Sequence, residues 1–166
     1  MNFSLNKVVR LSGNEASVYA VTLEGQPTSV FDDFLAEYQE DYHDEVKDIV
    51  TRLRVIGHKT GAREQYFKPY EGKYGDLVCA LYDDPDKKLR LYCVRFGGDC
   101  VILGGGGPKS KSIRAWQEDD NLREQAERMI TVAKKIHARF KEGDLKWDAG
   151  FKDMIGNLTF LEEDDE

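Results

Sequence analysis

Residues 87–114, KKLRLYCVRFGGDCVILGGGGPKSKSIR, gather the side chains best suited to chemistry on a phosphate. Lys87, Lys88, Arg90, Arg95, Lys109, Lys111 and Arg114 stand against a single carboxylate, Asp99, so the stretch carries +6 within a chain of net charge −7. The rest of the chain therefore carries −13, and a basic ribbon on an acidic body points to a local polyanion site. The same acidic balance argues against non-specific nucleic-acid binding by the whole surface. Side chains alternate along a strand, which puts Arg90 and Tyr92 on one face and Arg95 on the other. An exposed Arg–Tyr pair beside a lysine loop can hold a phosphate and stack a base; the alternative is that Arg90 pairs with an acidic neighbour. Trp116, just beyond the lysine loop, reads first as a core residue, and as a platform for a stacked base if it is exposed.

The glycine run Gly104–Gly107 fails both familiar phosphate signatures. A phosphate loop of the form G-x-x-x-x-G-K-[ST] would need glycine where Pro108 and Leu103 stand, and G-x-G-x-x-G begun at Gly104 ends on Lys109. Two readings remain: a flexible exit from a strand, or a loop whose backbone approaches a polyanion with Lys109 and Lys111 beside it. His43, His58 and His137 are far apart and fall in no metal-ligand spacing, so they read as structural or exposed. Cys79, Cys93 and Cys100 are odd in number with no C-x-x-C pair, and read as reduced thiols on strands rather than a zinc site or a disulfide framework. No serine sits in a nucleophile elbow.

The elements that must position these groups follow from periodicity. Leu89–Phe96 and Cys100–Leu103 read as strands joined by the FGGD turn, and Leu77–Tyr82 as a central strand, giving a three-stranded antiparallel meander over 77–103. Upstream, 6–11 and 16–23 read as strands around an SGNE turn, the second half-buried through Tyr19, Val21 and Leu23. Thr28 or Ser29 caps a helix whose stripe is Val30, Phe31, Phe34, Leu35 and Tyr38. A second helix starts near His43, with Val46, Ile49, Val50, Leu53 and Ile56 buried and Gly57 as its stop. The run Glu37, Glu40, Asp41, Asp44, Glu45 and Asp48 reads as its solvated face. A long helix over 120–140 buries Leu122, Ala126, Met129, Ile130, Ala133, Ile136 and Phe140, and Leu158–Leu161 reads as a short strand before a solvated acidic end.

With 166 residues, 40% hydrophobic and 33% charged, the chain reads as one soluble domain. No apolar run approaches the roughly 20 residues of a membrane helix. The first residues lack the apolar core of a signal peptide, so a cytoplasmic location is expected.

Element order and the stretch LRLYCVRF-GGD-CVILGGGGPKS together resemble the RelE/ParE toxin superfamily of bacterial type II toxin–antitoxin systems. The resemblance covers about residues 16–140 and leaves an acidic C-terminal extension over 141–166. It implies an α+β fold in which a small antiparallel sheet packs against an N-terminal helical hairpin and a C-terminal helix. It also implies a ribosome-dependent mRNA endonuclease silenced by an antitoxin-like protein partner, with no metal or small-molecule cofactor and no membrane. By that resemblance Arg90 takes the phosphate contact, and Lys109 with Lys111 stabilises developing charge. Lys68, Tyr92, Arg95, Arg114 and Trp116 bind RNA. The other reading is a non-catalytic interaction domain that keeps the RelE-like fold.

Overall fold

A strand buried on both faces forms where apolar residues fill both sets of alternating positions, and the centre of this chain does so repeatedly. The computed structural model describes residues 1–69, 77–81, 87–109 and 120–162. Its main sheet has seven strands: β1 (Phe3–Lys7), β2 (Ser17–Leu23), β3 (Phe67–Pro69), β4 (Val78–Leu81), β5 (Leu89–Phe96), β6 (Cys100–Pro108) and β9 (Thr159–Phe160). Their order across the sheet is β3-β4-β5-β6-β2-β1-β9. Neighbours are antiparallel except β2 and β6, which run parallel with Ser17 opposite Cys100 and Ala20 opposite Leu103. A separate hairpin pairs β7 (Leu145–Trp147) with β8 (Met154–Gly156).

Helices cover both faces. On one, Leu122, Ala126, Met129, Ala133 and Ile136 of α3 (Asp120–Glu142) pack with Tyr19, Val21, Tyr92, Val94, Cys100 and Ile102. On the other, α1 (Val30–Tyr38) and α2 (His43–Val55) bury Phe31, Phe34, Val46, Ile49 and Leu53 with Val18, Ala20, Leu89, Leu91, Cys93, Val101 and Leu103. Burial of each such side chain contributes about 1.5–3 kcal/mol. The α+β class expected from the sequence holds. The sheet is larger than expected and mixed, because β1 and β9 extend one edge and the return of β6 beside β2 is parallel.

Several local expectations shift. The first strand lies at Phe3–Lys7 rather than 6–11: Phe3 and Leu5 are the buried positions, and the chain turns back after Val8, whose carbonyl accepts from Leu11 and Ser12. Strand β2 is buried on both faces, not one, because Val18 and Ala20 meet the α1–α2 side. Ser29 caps α1 by accepting from the Asp32 amide at 3.0 Å, while Thr28 bonds Asp33. Helix α2 ends at Val55 and continues through one wider turn, Ile56–Thr60. Within it Gly57 lies so close to the Leu11 carbonyl that a Cβ would sit 1.9 Å from it.

The largest local correction is the glycine run. Gly104–Gly107 is neither a flexible exit nor a loop; it is the buried second half of β6. A Cβ on Gly104 would meet Met129 of α3 at 2.4 Å, and one on Gly106 would lie 1.7 Å from the Arg90 carbonyl. The run has no side chains because α3 and β5 occupy that space. Among the described residues, no helix is long and apolar enough to cross a membrane.

Candidate functional site

The register of β5 and β6 decides which basic groups can act together. Leu89 faces Pro108, Arg90 faces Gly107 and Leu91 faces Gly106, with a bulge between Leu91 and Cys93. Leu89, Leu91 and Cys93 belong to the α1–α2 side, whereas Tyr92 and Val94 belong to the α3 side. Alternation therefore sends Arg90 to the α3 side, over a partner residue with no side chain. Lys68 reaches the same face from β3: it pairs with Ala80, which pairs with Tyr92. Lys109 follows the end of β6, and its amide donates to the Lys88 carbonyl at 2.7 Å, so it adjoins the start of the Arg90 strand. Arg90, Lys68 and Lys109 are each half-buried.

Arg90 is the distinctive member. Its Nε is buried and has no hydrogen-bond partner among the described residues. A buried donor left unpaired costs about 1–3 kcal/mol, and a planar guanidinium matches the oxygens of a phosphate in bidentate geometry. No carboxylate among the described residues neutralises it. On the other face of the strand, Glu45 of α2 accepts from the successive amides of Lys88 and Leu89, at 2.6 and 3.2 Å, and fixes the start of β5. Asn121 of α3 donates to the Gly106 carbonyl at 3.4 Å and ties the helix start to the glycine half of β6.

The remaining candidates separate. Arg95 lies on the opposite face, where its Nε donates to the Ala62 carbonyl at 2.7 Å and its guanidinium stands 6.0 Å from the Phe67 ring centre. It braces the loop before β3 and is remote from the Arg90 face. Tyr92 is 2% exposed, so its ring packs in the core and offers no face for a base to stack on. Lys111, Arg114 and Trp116 lie outside the described residues. Glu45 and Asn121 went unrecognised in the sequence because their roles depend on partners 43 and 15 residues away. Glu45 carried no signal beyond its place in an acidic run. Among the described residues no group of three His, Cys, Asp or Glu could hold a metal ion.

A second polar cluster is a clamp. Ser17 Oγ donates to Asp153 at 2.5 Å, Lys7 lies 3.0 Å from the same carboxylate, and Tyr19 Oη accepts from the Met154 amide. The Ser17 hydrogen bond, with Lys7 behind it, holds the Asp153 carboxyl below its usual range. Burial pushes the Tyr19 phenol up to about 12. The cluster fastens the C-terminal segment to the ends of β1 and β2. Cys79 is pushed up to about 12 by burial, and Cys93 and Cys100 are raised for the same reason, so all three stay protonated and buried.

Compared with known proteins, the chain matches no family model, no curated protein and no solved structure.

Proposed function

We propose that this chain is a toxin-like protein of a type II toxin–antitoxin pair that cleaves mRNA on the ribosome, using the β5–β6 end as its phosphate site. The observation that carries the proposal is the buried Nε of Arg90, on the α3 side of the sheet, with no hydrogen-bond partner among the described residues. The element order β2, two helices, strands β3 to β6 and a long helix supports this reading, although the sheet is larger than the resemblance implies.

In the proposed reaction the ribose 2′-oxygen attacks the adjacent phosphorus and the bond to the 5′-oxygen breaks, giving a cyclic phosphate and a free 5′-hydroxyl. The proton leaving the 2′-hydroxyl and the proton reaching the 5′-oxygen are handled by neighbouring groups. Arg90 binds the phosphate, and Lys109 with Lys111 stabilises the charge that builds on it. In this reading Lys68, on the same face, contacts the RNA backbone. The partner in this proposal is an antitoxin-like protein.

A second reading, a non-catalytic interaction domain with the same fold, draws on the net charge of −7 and on the burial of Tyr92. Induced expression separates the two. Growth arrest with cleaved messages, both relieved by Arg90→Ala with Lys109→Ala, supports the enzyme. Expression without arrest or cleavage removes it.

A further inference from the structure

The chain ends its described course by laying a short strand against the open edge of the sheet, and what holds that strand is unusual in chemistry. Arg139 of α3 is 7% exposed, and arginine is almost never buried unless its donors are used. It spends those donors on main-chain oxygens: Nη1 donates to the carbonyls of Asn157 and Thr159. Its guanidinium lies 3.9 Å from the centre of the Phe160 ring. The other face of that ring stacks on Phe3 of β1, with centres 4.6 Å apart and planes 7° from parallel. Phe160 is thus held between an aromatic ring and a cation. Edge pairing adds to this: Phe3 opposes Phe160, Ser4 opposes Thr159, and the Leu5 amide donates to the Leu158 carbonyl at 2.9 Å.

These contacts have the form of peptide recognition by strand addition, in which main-chain hydrogen bonds supply affinity and alternate side chains supply choice. The Asn157 and Thr159 side chains are exposed, Leu158 is partly buried, and Phe160 is the buried anchor. Gly156, at φ +134, sets the segment off from the β7–β8 hairpin; a Cβ there would lie 2.1 Å from the Asp144 carbonyl.

We infer that the slot between β1 and the C-terminal half of α3 is a recognition site for an extended peptide with an aromatic anchor, occupied here by the chain's own residues 157–161. Its specificity is two carbonyls spaced two residues apart, followed by an aromatic side chain that fits between Phe3 and Arg139. The partner class is an extended segment of this pattern presented in trans, and the tethered segment is its competitor. A short tether gives that competitor a local concentration on the order of millimolar, so a partner gains access when the tethered strand is weakened or cut. The site is separate from Arg90, whose strand β5 lies four places from β9 in the sheet order.

The test uses the full chain and a fluorescent peptide spanning Ile155 to Glu162. Phe160→Ala removes the tethered anchor, and the variant is expected to bind the peptide roughly a hundredfold more tightly than the unmodified chain does. Adding Arg139→Lys, which keeps the charge but loses the planar fork, is expected to weaken that binding about tenfold. In a second arm a protease site is inserted between Gly156 and Asn157 and cut in the folded protein; the nicked chain is expected to exchange its own segment for labelled peptide. A folded Phe160→Ala chain that ignores the peptide, or binding indifferent to Arg139→Lys, overturns the inference. If Phe160→Ala does not fold, the nicked chain decides alone, and failure to take up labelled peptide overturns it.

Discussion

Two arginines on the same side of one sheet have opposite surroundings. Arg139 is buried against β9 and its donors are used on carbonyls and an aromatic ring. Arg90 sits in the interior of the sheet order, on β5 between β4 and β6, with its Nε buried and unbonded among the described residues. The difference separates a cation whose donors the fold uses from one whose buried donor the described residues leave unused. Arg139 carries the weight of holding a strand, whereas Arg90 bears a desolvation cost that nothing in the described fold offsets. Arg95 belongs with Arg139, since Ala62 and Phe67 already claim it.

Substitution tests that division, and the expected effects descend in order. Arg139→Ala should lower the unfolding free energy by about 3 kcal/mol, because two carbonyls lose their donor and Phe160 loses its cover; urea titration measures this, and a loss under about 1 kcal/mol would break the comparison. Arg95→Ala should cost about 1 kcal/mol, the value of one hydrogen bond with part-buried packing. Asp153→Asn should cost less and change the pH profile. The folded carboxyl sits below its usual value of about 3.9, so its contribution is complete above the unfolded value and disappears as pH falls through the folded one. Acid titration of the two proteins should therefore converge at low pH, and parallel curves would remove Asp153 from the clamp. Arg90→Ala should not lower stability and should raise it by about 1 kcal/mol, because the unpaired buried donor leaves with the side chain, while abolishing phosphate binding. Finally, thiol reagent added to the native protein should leave Cys79, Cys93 and Cys100 unlabelled until denaturant is present, since burial keeps each protonated and inaccessible.

Much of the frame was legible where the signal is local. The apolar stripes of α1, α2 and α3, and the Leu89–Phe96 strand with its FGGD turn, follow from period and turn chemistry. What was not legible depends on distant partners. Glycines at 104–107 look like a loop in sequence, because the reason for them, the approach of Met129 and of the Arg90 carbonyl, lies on other elements. The parallel pairing of β2 with β6 and the docking of β9 on β1 join segments some 80 and 156 residues apart, and no local pattern encodes either. The candidate site was legible in part. Alternation correctly assigned Arg90 and Arg95 to different faces, but burial of Tyr92 and the bond from Arg95 to Ala62 are tertiary facts. Glu45 was read as solvated because an acidic residue at a helix start satisfies local rules; its grip on the amides of Lys88 and Leu89 depends on how α2 lies against β5.

The central claim is that Arg90 is held available for phosphate instead of serving the fold. The most direct measurement follows cleavage of a ribosome-bound message by the purified chain and by Arg90→Ala, with the thermal midpoints of both proteins taken in parallel. The account predicts a variant midpoint no lower than that of the unmodified chain, cleavage by the unmodified chain and none by the variant. Equal cleavage by both proteins, or a variant that loses its fold along with its activity, would contradict it.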